Sequence, residues 1–466
     1  MTASAPALVR PSPVEWAKKN LFNNWWSGLV TVIALPVLVY MAYRVILFIF
    51  VNAQWEAVTR NLTLFMQGTF PRDQQWRLIA QVLLFALAFG VGAGTNSAST
   101  RDAAEDAGLT YTKGTIFGTF RRMWSLALFI GILLYFATLD PAGTWYNPFL
   151  LVAAVAVVGV IGYGANQLPR RFRNLGWVLT GILLVFGFQV VSGFDAEGWV
   201  PVGLILAAAA YAAVPKDRFN SRWVALGARV GAAVAVALVV RSIYGVVDTG
   251  GVGWDAWSGL HLTLMVSAVA IVLAFPLGLL LALARRSTLP ALRWIATGYI
   301  ELIRGVPLIA LLFMGQYVLG FLLPQGTNLS SITRAIVAMS LFTSAYVAEI
   351  VRGGLQSLPK GQTEAGQALG LAPPTIMRRI VLPQALRAVI PAMVGQFISL
   401  FKDSSLLTII GILEFLGVRD ILHAQADFRG VAIAETLVFV AFGYWAFAFA
   451  MSRESQRLER RLRVSR

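Results

Sequence analysis

Four polar residues in a row, Lys402-Asp403-Ser404-Ser405, interrupt an apolar stretch that runs from 387 to 410. A lysine and an aspartate at membrane depth are costly unless they face a cavity or a partner. Two uses are open to them: an internal Lys–Asp pair, or groups that meet something passing through the membrane. Two further acid–base couples stand three residues apart, so each shares a helix face: Glu301 with Arg304, and Glu349 with Arg352. Mutual neutralisation is the expectation for both, with a gate in the pathway as the other reading of the first. The only histidines, His261 and His423, lack neighbours at metal-ligand spacing, and nothing sets either beside a serine and a carboxylate. There are no cysteines. The stretch GTNSASTR (94–101) lacks the Gly-Lys-Ser/Thr ending of a phosphate-binding loop. The expectation is a chain with no metal, no bound cofactor and no catalytic centre of its own.

The elements that must position these groups are membrane helices. Of 466 residues, 58% are apolar and 13% charged, against about 25% charged in soluble domains. Apolar runs of roughly 20 residues recur along the whole chain. They are continuous rather than alternating, which excludes a β-barrel. The fold class is all-α and polytopic, with about 12 transmembrane helices, expected at 29–51, 77–95, 123–139, 148–165, 175–193, 199–214, 223–247, 260–284, 294–323, 334–351, 387–410 and 431–451. The first segment follows a polar, basic leader and reads as an anchor rather than a cleaved signal. Alternation puts both termini on one side. That side collects most of the basic residues, including Arg170, Arg171, Arg285, Arg286, Arg378 and Arg379, while the other holds Arg60, Arg72, Arg419, Arg429 and little else. By the positive-inside rule both termini are cytoplasmic. The same asymmetry accounts for most of the net charge of +16 without nucleic acid.

Tryptophans such as Trp25, Trp76, Trp177, Trp223 and Trp294 mark span edges, the depth an indole prefers. Residues 55–70 are amphipathic and expected to lie on the outer membrane surface. Residues 96–122 read as a polar inner loop. Arg44, Arg229 and Arg241 lie about two turns from span ends, near enough to snorkel. Gly227 and Gly231 form a GxxxG, a weak signal for close helix packing.

The loop 352–387 is too structured for a simple turn. Pro359 suits a first helical turn, a helix can run to Leu369, Gly370 suits its C-terminal cap, and Pro373-Pro374 forbids continuation. A second helix from near Thr375 leads through Pro383 into the next span. Ala365, Ala368 and Leu369 share one face, and Ala365-Gly366 are small enough for close approach of another surface. The physics leaves two readings: a packed surface loop, or a projecting helix with a docking face.

Here the sequence resembles a known family. Glu364-Ala365-Gly366, three residues, Gly370, nine residues, Ile380, one residue, Leu382-Pro383 is similar to the EAA motif of importer-type ABC transporter permeases at every spacing, with Gly366 for the second alanine. AYVAEIVRGGLQSLPKGQTEA (345–365), LPQALRAVIP (382–391), FKDSSL (401–406) and ELIRGVPLIALLF (301–313) resemble the polar amino acid permeases. NLFNNWWSGLVTV (20–32) and WEAVTRNLTLFMQGTFPRDQQWR (55–77) are similar to the long permeases of general L-amino-acid systems, which import glutamate, glutamine, aspartate, asparagine and others.

The resemblance implies a type I importer core of five helices at 255–451, preceded by a cytoplasmic segment 1–28 and about seven extra helices within 29–250, and followed by a basic tail 452–466. It implies that the EAA helix is a coupling helix seated in a cytoplasmic ATPase subunit, with Glu364 as its charge-assisted anchor. ATP and magnesium would then belong to an ATPase homodimer. A second permease subunit, as a heterodimer rather than a homodimer, and a periplasmic or extracellular amino-acid-binding protein complete the expected complex in a bacterial cytoplasmic membrane. In such a pathway Asp403 suits a substrate ammonium, and Lys402, Ser404, Ser405 or freed backbone N–H groups suit its carboxylate. The rival reading is an ion-coupled secondary amino acid transporter. No inverted repeat supports it, and no filter motif supports a channel.

Overall fold

The computed structural model of the chain describes residues 12–106, 108, 148–170, 173–193, 199–214, 221–246, 250–253, 256–322 and 329–464. Among these residues nine helices are long and apolar enough to cross a membrane. A bent pair makes a tenth span, and Val202–Ala213 is a shorter apolar helix. These correspond to eleven of the twelve expected spans. The other, 123–139, lies outside the described residues.

The order is α1 Pro13–Asn20, α2 Trp25–Leu47, α3 Glu56–Thr59, α4 Leu62–Gln67, α5 Gln75–Asp106, α6 Pro148–Tyr163, α7 Arg173–Ser192, α8 Trp199–Ala213 and α9 Arg222–Val246. The second half holds α10 Gly259–Arg285, α11 Pro290–Gly305, α12 Leu308–Leu322, α13 Ser331–Gln356, α14 Gly361–Ala368, α15 Leu382–Asp403, α16 Val418–Ala424 and α17 Ile433–Val464. In this half, α10 lies along α13, α13 along α15, and α15 along α17. Gly278 lets α10 pack closely on α13: an added methyl there would stand 2.6 Å from Val347. In the first half α5 packs on α6 and α7, and α8 on α9.

Three features differ from the sequence expectation, each for a physical reason. The span expected at 294–323 is two helices bent by 106°. Val306 is extended (φ −107°, ψ 136°), the conformation a following proline imposes, and Pro307 then opens α12. The polar stretch 96–106 is not loop but the last three turns of α5. Its acidic residues are satisfied from another element: Arg170 meets Glu105 and Asp106 at 3.0 Å each, and the buried Arg173 meets Asp102 at 3.1 Å. Gly227 and Gly231 have nothing within 4 Å of an added methyl, so this GxxxG joins no helices within the described chain. Arg229 is tied to the end of the neighbouring helix. Its Nε donates to the Tyr211 carbonyl at 3.0 Å, and its guanidinium lies over the Tyr211 ring at 4.3 Å, tying α9 to α8.

The largest correction concerns residues 55–70. They do not rest on the membrane surface. Ala57, Val58, Phe65, Met66 and Phe70 are buried, and all but Val58 lie in the same apolar clusters as Phe401, Phe415, Val418, Leu422, Trp257 and Leu262. Gln425 donates to Asn61 (3.1 Å), the Gln54 N–H to Glu435 (2.9 Å), and the Thr69 N–H to Ser258 (2.7 Å). The apolar face read from the sequence is real, but its partner is protein rather than lipid. A second tie from the first half lies deeper, where the Gln81 amide oxygen is 2.8 Å from His261 Nε2. By contrast, none of the most apolar window of α2 is buried against the rest of the chain.

Candidate functional site

The EAA loop folds as its residues require. The backbone N–H of Gln362 bonds Pro359, and those of Thr363 and Glu364 bond Lys360, which closes the first turn of α14. Gly370 ends it with φ +72°, and the Leu371 N–H reaches back to the Gly366 carbonyl at 3.1 Å, the reach of a glycine-closed helix end. Every residue of α14 is exposed except Gly366, which rests on the buried Ile376. Glu364, Ala365, Ala368 and Leu369 thus face outward, with Leu369 78% exposed. The loop projects a short helix with a free apolar and acidic face.

That helix is mechanically joined to α15. Ile376 ends the short turn Pro373–Ile376. A wider turn, Met377–Val381, carries Ile380. Leu382-Pro383 then begin α15, where a proline at the second position lacks only an N–H that a first turn leaves unpaired. Gln384 adds a bridge to Gln362 at 3.3 Å. From Leu382 to Asp403 α15 has 22 residues, a rod of about 33 Å. The far end of that rod is the Lys402-Asp403-Ser404-Ser405 cluster.

At that end the helix tightens into a 3-10 segment, Ser404–Ile410, closed by Gly411 with φ +81°. Lys402 is exposed, Asp403 and Ser405 are half-buried, and Ser404 is fully buried. No ion pair joins Lys402 to Asp403 among the described residues. As neighbours in a helix they point apart. Ser404 turns inward, donating to the Phe401 carbonyl at 2.6 Å. The structure keeps the four together as the end of one helix, but only Lys402, Asp403 and Ser405 reach solvent-accessible space.

The two acid–base couples at the other end of the core merge into one cluster. Glu301 does not pair with Arg304. Its partner is Arg285 of α10, at 2.9 Å. Arg285 also bonds Glu349. Glu349 accepts from Arg352 on both oxygens (Nε to Oε1 3.2 Å and to Oε2 3.0 Å, Nη2 to Oε2 2.8 Å), as expected from their spacing, and has Arg304 at 3.8 Å. Arg304 lies over the Tyr346 ring at 5.5 Å. Sequence spacing finds couples within one helix, whereas Arg285 comes from 64 residues away and carried no local signal. The cluster ties α10, α11 and α13 together beside the root of the EAA loop. Glu349→Gln removes the acceptor shared by three guanidiniums and is expected to cost about 1–3 kcal/mol. Arg304→Gln, starting from a longer contact, is expected to cost less than half as much. Heating the detergent-solubilised protein and following the folded fraction by size exclusion checks that order, and equal losses would refute the shared-acceptor geometry.

His261, besides its bond to Gln81, is 4.8 Å from the Trp257 ring, and His423 Nε2 is 3.2 Å from Thr436. Neither joins a group of three potential metal ligands among the described residues.

Comparison with known proteins agrees with this architecture. Residues 274–464 match the family model described as binding-protein-dependent transport system inner membrane component. The glutamate/glutamine/aspartate/asparagine transport system permease protein BztC of Rhodobacter capsulatus is 30% identical over 491 residues, covering 99% of this chain and 97% of that protein. The inner membrane amino-acid ABC transporter permease protein YhdY of Escherichia coli is 46% identical over 210 residues, covering 45% of this chain and 57% of that protein. The probable glutamine ABC transporter permease protein GlnM of Bacillus subtilis is 34% identical over 208 residues, covering 44% of this chain and 93% of that protein. The chain belongs to the family of binding-protein-dependent transport system inner membrane components, the permease subunits of ATP-binding-cassette importers. It is a multi-pass inner-membrane protein.

Proposed function

We propose that the chain is the permease subunit of an importer for polar L-amino acids, driven by ATP hydrolysis on separate cytoplasmic ATPase subunits. The observation that carries this reading is the exposed helix α14 joined to the start of α15 through Gly366–Ile376 and Gln362–Gln384. A force applied at Glu364 and Ala365 passes through the Gly366–Ile376 contact into a rod whose other end presents Lys402, Asp403 and Ser405. The substrate class rests on the same end. An ammonium needs an acceptor and a carboxylate needs donors, and the half-buried Asp403 with Lys402 and Ser405 supplies both. The permease relative that spans 99% of the chain is named for glutamate, glutamine, aspartate and asparagine, which supports that choice.

In this reading both termini and the EAA loop are cytoplasmic. ATP and magnesium bind to an ATPase homodimer, a second permease of the same family forms a heterodimer with this chain, and an extracytoplasmic amino-acid-binding protein delivers the substrate. The Glu301/Arg304/Glu349/Arg352 cluster, with Arg285, holds the inner ends of α10, α11 and α13 together while α15 moves.

The test is purification of the tagged chain in mild detergent from its own cells, with identification of every accompanying subunit, together with uptake of labelled amino acids by the same cells. An ATPase, a second permease and uptake lost with the ATPase support the reading. An ATPase without a second permease removes the heterodimer. Uptake that survives loss of the ATPase but collapses with the ion gradient replaces the reading with an ion-coupled carrier.

A further inference from the structure

Glu414 lies in GILEFLG (411–417), an apolar stretch in which nothing about spacing marks it. It is fully buried. Five donors converge on its carboxylate. Oε1 accepts from the Thr408 hydroxyl and from the backbone N–H groups of Leu416 and Gly417, both at 2.9 Å. Oε2 accepts from the Tyr444 hydroxyl at 2.6 Å and the Thr263 hydroxyl at 3.3 Å. An ionised carboxylate is acceptor-only, with about four lone-pair positions, so it satisfies a cage made wholly of donors. The donors come from different pieces of the core: Thr263 from α10, Thr408 from the 3-10 segment, Tyr444 from the middle of α17. The cage is pinned further by the Phe415 N–H on Thr263 (3.0 Å) and the Gly259 N–H on the Leu413 carbonyl (2.9 Å).

The cage abuts the substrate end of α15. Tyr444 Oη lies against Ser404 Oγ at 3.4 Å in packing contact, since both hydroxyl hydrogens are already given, to Glu414 and to the Phe401 carbonyl, and Ser404 adjoins Asp403. The Tyr444 ring also lies 5.3 Å from Phe401 and 5.7 Å from Phe415. The segment Ser404–Ile410 is therefore held near its middle by the hydrogen bond from Thr408 to the carboxylate, while Tyr444, bonded to the same carboxylate, packs against its start at Phe401 and Ser404. A 3-10 segment has poorer internal hydrogen bonding than an α-helix, so its direction depends on such outside ties.

We propose that Glu414 is a positioning residue for transport. Acting through its bond to Thr408 and through Tyr444, which packs on Phe401 and Ser404, it fixes the Ser404–Ile410 segment and with it the direction in which Asp403 is presented to the pathway. This rests on the reading that Asp403 receives the substrate. Glutamine is a poor replacement for a chemical reason. Its NH2 cannot face the Leu416 and Gly417 N–H groups, which are fixed by the backbone. Turned the other way, it forces Thr263 and Tyr444 to swing their hydrogens away from it, the Tyr444 hydrogen toward Ser404, which changes how Tyr444 meets the start of the segment.

The test uses the complete transporter in proteoliposomes with its ATPase, second permease and binding protein. It measures amino acid imported per ATP hydrolysed in wild type, Glu414→Gln and Tyr444→Phe. Because the chain has no cysteine, Ile409→Cys, at an exposed position of the segment, reports the segment's placement by its rate of reaction with a thiol reagent. The expected result is intact assembly and basal hydrolysis, import per ATP lowered about tenfold or more in Glu414→Gln, the equivalent of one charge-assisted hydrogen bond, and a several-fold changed labelling rate at position 409. Tyr444→Phe keeps four of the five donors and is expected to show the same pattern more weakly. It decides the question if Glu414→Gln fails to fold. Unchanged import per ATP with unchanged labelling overturns the proposal, as does a parallel fall of assembly, hydrolysis and import, which a purely structural role would give. Wild-type liposomes that import no polar amino acid would refute the substrate reading, and the labelling at 409 would still decide whether Glu414 holds the segment.

Discussion

Glu364→Ala is expected to reduce transport to background while the chain inserts and folds normally. The side chain sits in the first turn of α14. It is exposed, and no ion pair holds it among the described residues, so its removal breaks nothing within the chain. Any effect must come from a contact made with another molecule. If that contact is a charge-assisted hydrogen bond, its loss costs about 1.5–3 kcal/mol, or roughly ten- to hundredfold in affinity for the ATPase. Gly370→Val should act on the same helix by a different route. It puts a β-branched residue at φ +72°, at about 1–2 kcal/mol of backbone strain, and so frays the end of α14 without touching its docking face. Co-purification of the ATPase with each variant, beside labelled amino acid uptake, separates the two effects. Uptake at wild-type rate in Glu364→Ala would remove the coupling role from this loop.

The residues legible in the sequence were those whose signal is local. The Gly370 left-handed cap, the Pro373-Pro374 stop and the passage through Pro383 into α15 follow from what single residues can and cannot do to a backbone, and the structure places them so. The Glu349–Arg352 pair followed from helical spacing. What stayed hidden was non-local. Arg285 takes over Glu301 from Arg304 because helix packing brings α10 beside α11 and α13, and no spacing rule encodes that. Glu414 hides in an apolar stretch because its partners are hydroxyls and backbone N–H groups from three elements. The helical turns 96–106 look like loop because the arginines that satisfy them, Arg170 and Arg173, arrive from beyond α6. The segment 55–70 shows the limit most sharply, since an amphipathic pattern states that one face is covered and is silent on whether lipid or protein covers it.

That segment leads to the second large effect: Phe65→Ala is expected to destabilise the core as severely as a substitution within the core helices. Phe65 is fully buried. It meets the Phe415 ring edge-on at 6.1 Å and Phe439 at 5.0 Å, so it packs between the loop that carries Glu414 and the helix α17. Truncating a buried phenylalanine costs about 3–5 kcal/mol, whereas Phe321→Ala, at an 88% exposed site, should cost little. The comparison with shorter relatives sharpens the point. The 208 residues matched to GlnM cover 93% of that protein, which invites the view that residues before 255 are an appendage to a self-sufficient core. The structure argues against it, because α3 and α4 fill one end of the core with Ala57, Val58, Phe65 and Met66. A chain cut at 255 should therefore expose the surfaces of Phe415, Val418 and Leu422, and aggregate or be degraded. A chain that keeps 53–74 should survive the loss of α2, whose apolar window is unburied within the chain. Thermal denaturation in detergent of Phe65→Ala beside Phe321→Ala, and the membrane levels of the two truncations, measure this directly. A stable, active chain beginning at 255 would show that the core closes without the brace.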